Sequence, residues 1–224
     1  ILKNLMKKEI QKRIISTPIL IPLTFFFIIK GSFFFIFLLI TGFAVTSYEW
    51  YMMTKKKKYH LIGYFYLILS FYSAYLLRNF DNDEKGILFL YVITICISTD
   101  IGGYVVGKIF KGPKLTKISP NKTYSGMVGG YLLSVISIGF FIKYSQMLFN
   151  EELFFLSEDF IFIIFISSIS QLGDILISYF KRISKIKNTG KIIPGHGGLL
   201  DRIDGMIFAF PAFYFVELTG YLSV

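Results

Sequence analysis

Cysteine is almost absent from this chain. Among 224 residues there is only Cys96, so no disulfide framework exists, and its place inside an apolar run marks it as a packing residue. Histidine is nearly as scarce, with His60 and His196 far apart in the sequence, which argues against a His-ligated zinc site. Also missing are a low-complexity linker and a clear internal repeat, so one integral domain, residues 1–224, is the simplest division. Acids are the minority charge, 14 against 24 Lys and Arg, for a net charge of +10. In a soluble protein that excess suggests nucleic acid, but its distribution along this chain removes that reading.

What the chain has in quantity is apolar surface: 54% of residues are hydrophobic and 19% aromatic, and the mean hydropathy is +0.61. This composition predicts an all-α polytopic integral membrane protein. About seven stretches reach the ~20 residues needed to cross a bilayer, roughly 14–29, 31–50, 60–77, 86–107, 123–144, 159–180 and 204–222. The first follows a basic run (Lys7, Lys8, Lys12, Arg13) like that of a secretory leader. No A-x-A-like cleavage site follows it and another span begins at once, so it reads as a helix. The chain begins at Ile1 rather than Met, so the expectation is either a missing N-terminal piece or another start. With the N-terminus inside, segments 1–13, 55–58, 108–122 and 181–202 hold 20 of the 24 Lys and Arg, leaving Lys30, Arg78, Lys85 and Lys143 outside. Excess positive charge marks the cytoplasmic side. The outer loops "NFDNDEK" and "NEELFFLSED" are short and acid-rich, and "KKKK" at 55–58 is an orientation signal.

Two long cytoplasmic loops are polar and glycine-rich, residues 98–130 and 170–205. Each abuts acids at the membrane edge: Asp100, Asp174, Asp201 and Asp204. An ionisable group in a span costs at least ~2.5 kcal/mol and usually faces a pathway or a partner; helix capping or pairing with a nearby lysine is the plainer account. Asp174 and Ser178 are four apart and share a helix face, with Lys181 and Arg182 following. Asp201 and Asp204 are three apart and are expected in the first turn of the last helix. Between them and Lys191 lies "PGHGG", which cannot continue a helix and lets backbone N–H groups approach a phosphate. Clustered carboxylates beside Lys and Arg fit a site shared by Mg²⁺ and polyphosphate. A loop docked on anionic lipid accounts for the lysines but not for the aspartates and glycines. His196 could ligate a metal, act as a base, donate to phosphate, or only brace the loop.

These residues resemble the phosphatidate cytidylyltransferase, or CDP-diacylglycerol synthase, family. The signature S-x-x-K-R-x-x-x-x-K-D followed by P-G-H-G-G-x-x-D-R-x-D is matched by Ser178, Lys181, Arg182, Lys187, Asn188 and then Pro194, Gly195, His196, Gly197, Gly198, Asp201, Arg202 and Asp204. Upstream, Gln171, Gly173 and Asp174 match Q-x-G-D. The first loop is similar to D-x-x-A-Y-x-x-G-[KR] and S-P-K-K-T-x-E-G through Asp100, Tyr104, Gly107, Lys108, Ser119, Pro120, Lys122, Thr123 and Gly126. The opening "RIISTPILIPL" and the "YEW" near residue 50 also look like the family, so the resemblance covers nearly the whole chain. Three departures matter: Asn188 for Asp, Ser125 for Glu, and Gly103 for Ala.

The resemblance implies that the phosphate of phosphatidic acid attacks the α-phosphorus of CTP, giving CDP-diacylglycerol and pyrophosphate. It implies catalytic roles for Lys122, Lys181, Arg182, His196, Arg202 and Asp204. Substrate binding falls to Asp100, Tyr104, Ser119, Lys122, Thr123, Ser178, Gly195, Gly197 and Gly198, and metal binding to Asp174 and Asp201. It further implies Mg²⁺ with room for a second cation, a homodimer, and a site facing the cytoplasm from a bacterial inner membrane. A transporter predicts matched polar breaks in two repeats, which are absent. A CDP-alcohol phosphotransferase predicts D-G-x-x-A-R, also absent. An inactive paralogue is the reading that Asn188 and Ser125 motivate.

Overall fold

A computed structural model describes residues 18, 22–79, 86–149, 157–193, 195 and 197–219. After a helical segment over residues 22–30 come α1 (Ser32–Thr54), α2 (His60–Arg78), α3 (Ile87–Phe110), α4 (Tyr124–Phe149), α5 (Ser157–Ile183) and α6 (Met206–Glu217). Among the described residues there is no strand, only isolated bridges between Lys114 and Thr123 and between Ile193 and Gly197. The all-helical reading therefore stands. Helices α1 to α5 are each long and apolar enough to cross a membrane. By contrast α6 has 12 residues, which at ~1.5 Å per residue falls short of a ~30 Å hydrocarbon core. Of the first expected stretch, 14–29, residues 18 and 22–29 are helical, and 14–17 and 19–21 lie outside the described residues.

One boundary needs correcting. Asp201 and Asp204 do not sit in the first turn of the last helix, because α6 starts at Met206. They occupy a separate turn, in which Leu199 O accepts from Arg202 N–H at 2.9 Å and from Ile203 N–H at 3.2 Å. The N–H groups of Leu199 and Leu200 go to a side chain of α1 instead, so this turn is set by a distant partner and not by helix propagation.

The most extensive helix pairing is α3 with α4, and glycine makes it. Gly102, Gly103 and Gly107 on α3 face Gly126 and Gly129 on α4. A Cβ on Gly126 would stand 2.6 Å from the Gly103 carbonyl oxygen, so the two backbones meet with no side chain between them. Small residues at such contacts let helices pack closely inside a bilayer, where water supplies no hydrophobic drive. The core lies between α1, α3, α5 and α6: Phe89 packs edge-on against Phe35 at 5.0 Å and stacks on Phe210 at 5.1 Å, and Phe162 meets Phe213 at 4.9 Å. A second cluster of Trp50, Leu67, Ile177, Leu200 and Ile207 supports the end of the bundle where the two polar loops lie.

Candidate active site

The first loop, 111–123, joins α3 to α4 and folds back on itself. Leu115 N–H donates to Lys122 O at 2.8 Å and Tyr124 N–H to Pro113 O at 3.2 Å. The Thr123 hydroxyl accepts from Gly126 N–H at 3.1 Å, satisfying one of the orphan donors at the start of α4. Held in this way, Lys122 crosses to α5, where its Nζ lies 2.5 Å from Asp174 Oδ2 and 3.3 Å from Gln171 O. A cavity of about 300 Å³ opens here, lined by Asp100, Tyr104, Ser119, Lys122, Thr123 and Asp174 among others. That is the lower end of the range for small-molecule sites. Six of the residues expected from the two loops thus share one cavity. Tyr104 is exposed, with Lys108 Nζ 3.3 Å from its hydroxyl.

The second loop is built from α5 outward. Ser178 donates to Asp174 Oδ1 at 3.3 Å, as their spacing on one face requires. One turn on, Lys181 Nζ pairs with Asp201 Oδ1 at 2.8 Å, and both side chains are largely buried. The other oxygen of Asp201 accepts from Thr189 N–H at 2.9 Å and Gly198 N–H at 3.3 Å. Between those donors the chain reverses, with Ile193 N–H bonded to Gly197 O at 3.0 Å and Gly195 and Gly197 at φ +77° and +88°. Side chains rarely adopt such angles, which is why glycine stands there. Arg182 and Arg202 lie on the exposed side of the site. Pro194 and His196 fall outside the described residues.

The two loops meet at the carboxylates. Asp204, buried in the turn ahead of α6, accepts from Gly205 N–H at 3.0 Å and lies within the field of Asp174, Asp100 and Lys181. Burial, and then the Asp174 charge, push its carboxyl well above the usual carboxylate range against the pull of Lys181. Asp174 is thus grouped with Asp204 and Asp100, while Asp201 is engaged by Lys181 and two backbone amides. Among the described residues no three His, Cys, Asp or Glu side chains form a ready-made metal cage. Mg²⁺ does not require one: it keeps waters and takes one or two carboxylates with substrate phosphates. The chemistry of Asp174 and Asp201 fits that demand: each Asp174 oxygen, and Oδ1 of Asp201, carries one donor and keeps a second lone pair.

Sequence reasoning passed over Glu49. This α1 acid is 1% exposed and accepts from Leu199 N–H, Leu200 N–H and the Thr189 hydroxyl. The available signal was an acid near the end of an apolar stretch, the same signal that singled out the aspartates. At the three departing positions the structure supplies reasons. A Cβ on Gly103 would meet only the Gly126 carbonyl, at 3.6 Å, so alanine fits there. Ser125 hydrogen-bonds Lys111 O and the Thr123 hydroxyl, closing the base of the first loop without a charge. Asn188 lies across Gly197, whose Cβ would be 3.6 Å from Asn188 Cγ and 3.3 Å from Asp201 Oδ2.

Comparison with known proteins bears on this site. The cytidylyltransferase family model matches residues 56–219, a span that holds both loops. A phosphatidate cytidylyltransferase of Rickettsia felis is 36% identical over 220 residues, covering 95% of this chain and 94% of that protein. One from Rickettsia prowazekii is 35% identical over 220 residues, covering 95% and 93%. The Bacillus subtilis protein of the same name is 35% identical over 153 residues, covering 67% of this chain and 54% of its own length.

Proposed function

Because this chain belongs to the cytidylyltransferase family, we infer from that membership and its cavity that it transfers CMP from CTP to phosphatidate, yielding CDP-diacylglycerol and pyrophosphate in phospholipid synthesis. It is a multi-pass membrane protein and a nucleotidyltransferase. The observation that carries the site assignment is the crossing ion pair: Lys122 of the first loop on Asp174 of α5, with the Asp204 backbone packed against the neighbouring Gly173. Two loops far apart in sequence are thereby joined at one set of charges.

In this reading a phosphatidate oxygen bonds to the α-phosphorus of CTP as the bond from that phosphorus to the bridging oxygen breaks, and pyrophosphate leaves. Such transfers depend on positioning and charge neutralisation more than on covalent help. Lys122 neutralises phosphate oxygens from the cavity, Lys181 from beside Asp201, and Arg182 and Arg202 from the exposed side. The Thr123-capped start of α4 turns its positive helix end toward the cavity. Asp100, Tyr104, Ser119 and Thr123 line the nucleotide's place, while Ser178 and the glycines at 195, 197 and 198 shape the phosphate's. Mg²⁺ at Asp174 and Asp201, with room for a second cation, would neutralise the polyphosphate and polarise the attacked phosphorus. His196 contacts phosphate or braces the loop beside it. The proposal extends to a homodimer in the bacterial inner membrane, its site open to the cytoplasm where CTP is found.

Purified protein given CTP, phosphatidate and Mg²⁺ tests this. It is expected to form CDP-diacylglycerol and pyrophosphate in equal amounts, and Asn188→Asp is expected to change the rate by less than about tenfold, roughly 1.4 kcal/mol of barrier. A wild type without activity that Asn188→Asp revives would show that the missing carboxylate is a ligand or base, and that this chain is not a working synthase.

Orientation has its own test. In a Cys96-free background, a cysteine replacing Asn121 in the first loop is expected to react with an impermeant reagent only from the cytoplasmic side. One replacing Asn82, which lies outside the described residues, should react only from the other. The motive is the charge split between the two sides. Labelling at 121 from outside would reverse the topology.

A further inference from the structure

We propose that Glu49 is a positioning residue for the transfer reaction: its carboxylate fastens both limbs of the 189–205 loop to α1 and thereby holds Asp201 against Lys181. The part of this that concerns turnover rests on the function proposed above; the clamp itself does not.

Both carboxylate oxygens are used. Oε1 accepts from Leu199 N–H at 3.0 Å, and Oε2 accepts from Leu200 N–H at 2.8 Å and from the Thr189 hydroxyl at 3.0 Å. These donors come from the two ends of the glycine-rich reversal. Thr189 is the hinge of the arrangement, since its hydroxyl binds Glu49 while its N–H binds Asp201 Oδ2 at 2.9 Å. Leu200 binds Glu49 and is followed directly by Asp201. The path from the α1 acid to the Asp201 carboxylate is therefore one residue long on either limb.

The fit around Glu49 leaves nothing to spare. A Cβ on Gly198 would lie 2.6 Å from Glu49 Oε2 and 2.7 Å from Gly190 N, and one on Gly190 would collide with Glu49 Oε1. Two glycines thus let both limbs close on the acid. An acid in an apolar helix is costly to insert, and hydrogen bonds from backbone amides to an ionised acceptor are among the stronger ones available to offset that cost. Because Glu49 is 1% exposed, it reaches substrate only through the loop it holds. That makes it a positioning residue and not a catalytic one.

Glu49→Gln in the full-length protein tests the clamp. The amide keeps the shape but turns one acceptor into a donor that faces N–H or O–H groups. Turnover is expected to fall about 10- to 100-fold, the range for losing hydrogen bonds to a charged group, while KM for CTP changes little. Hydrogen–deuterium exchange should quicken in peptides from 189–205 and stay unchanged in α3 and α4. Thr189→Val removes one leg of the same clamp, so the double variant is expected to cost little more than the worse single one. It also gives the loop-exchange readout should Glu49→Gln fail to accumulate in the membrane. Unchanged exchange at 189–205, or a uniform rise in exchange across every helix with a lowered Tm, would overturn the proposal. A wild type with no transferase activity would count against the proposed function, and loop exchange would still decide the clamp.

Discussion

Asp174→Asn and Asp201→Asn are each expected to lower CTP-dependent formation of CDP-diacylglycerol by about a thousandfold or more, with the protein still inserted in the membrane. Asp174 pairs with Lys122 and Asp201 with Lys181, and a neutral amide holds Mg²⁺ far more weakly than a carboxylate does. The two variants should differ in a second respect. Asp174 pairs with Lys122 at 2.5 Å where both side chains are about a quarter exposed, so losing that pair should hardly move thermal stability. Asp201 is more deeply placed and accepts from Lys181, Thr189 and Gly198. An amide there directs N–H toward N–H, a mismatch of about 1–3 kcal/mol, so Asp201→Asn should also lower Tm. Rates near wild type at saturating Mg²⁺ for either variant would remove that residue from the metal site. Equal Tm values for the two would contradict the bonding described for Asp201.

Gly126→Val is expected to reduce turnover by about a hundredfold, whereas Gly103→Ala should leave it within about twofold of wild type. The residues face each other across the α3–α4 contact, yet the space around them differs. A Cβ on Gly126 would stand 2.6 Å from Gly103 O and 3.4 Å from Gly107 Cα, both backbone atoms that cannot step aside, while one on Gly103 would have 3.6 Å of clearance. Valine at 126 must therefore part the two helices. Asp100 and Tyr104 belong to α3, and Lys122 and Thr123 to the start of α4 and the loop before it, so parting them opens the cavity that these residues line. A displacement of about 1 Å at reacting groups is enough to cost two orders of magnitude. The measurement is turnover and Tm of both variants side by side. Equal tolerance of both substitutions would mean that the contact does not set the cavity.

Much of this was legible because a bilayer leaves the sequence few choices. Apolar runs long enough to span, broken by lysine-rich turns on one side and acid-rich ones on the other, located α1 to α5, and the four aspartates marked where polar chemistry meets the apolar helices. The spacing of Asp174 and Ser178 gave their shared face, and they are hydrogen-bonded. What could not be read was which oxygen meets which donor. The i, i+3 spacing of Asp201 and Asp204 suggested one helical face, yet Asp201 accepts from Thr189 and Gly198 while Asp204 accepts from Gly205 N–H. Helical periodicity holds only while the backbone bonds to itself, and here Glu49 takes the amides of Leu199 and Leu200. That contact crosses some 150 positions, beyond any local pattern. The glycine contact was hidden for a related reason: a glycine shows what it lacks, not what approaches it.

The Glu49 bonds also bear on how the protein is made. Glu49 leaves the ribosome about 150 residues ahead of Leu199 and Leu200, so α1 is inserted carrying an acid whose partners have not yet been translated. At typical elongation rates of ~5–20 residues per second, that interval lasts on the order of ten seconds. Through it the nascent chain carries that carboxylate in the last turns of α1 without the amide partners of the finished fold. A chain that stopped short of residue 199 would never gain them. Completion of the last turn therefore supplies these partners, and one buried hydrogen-bond set distinguishes finished molecules from truncated ones.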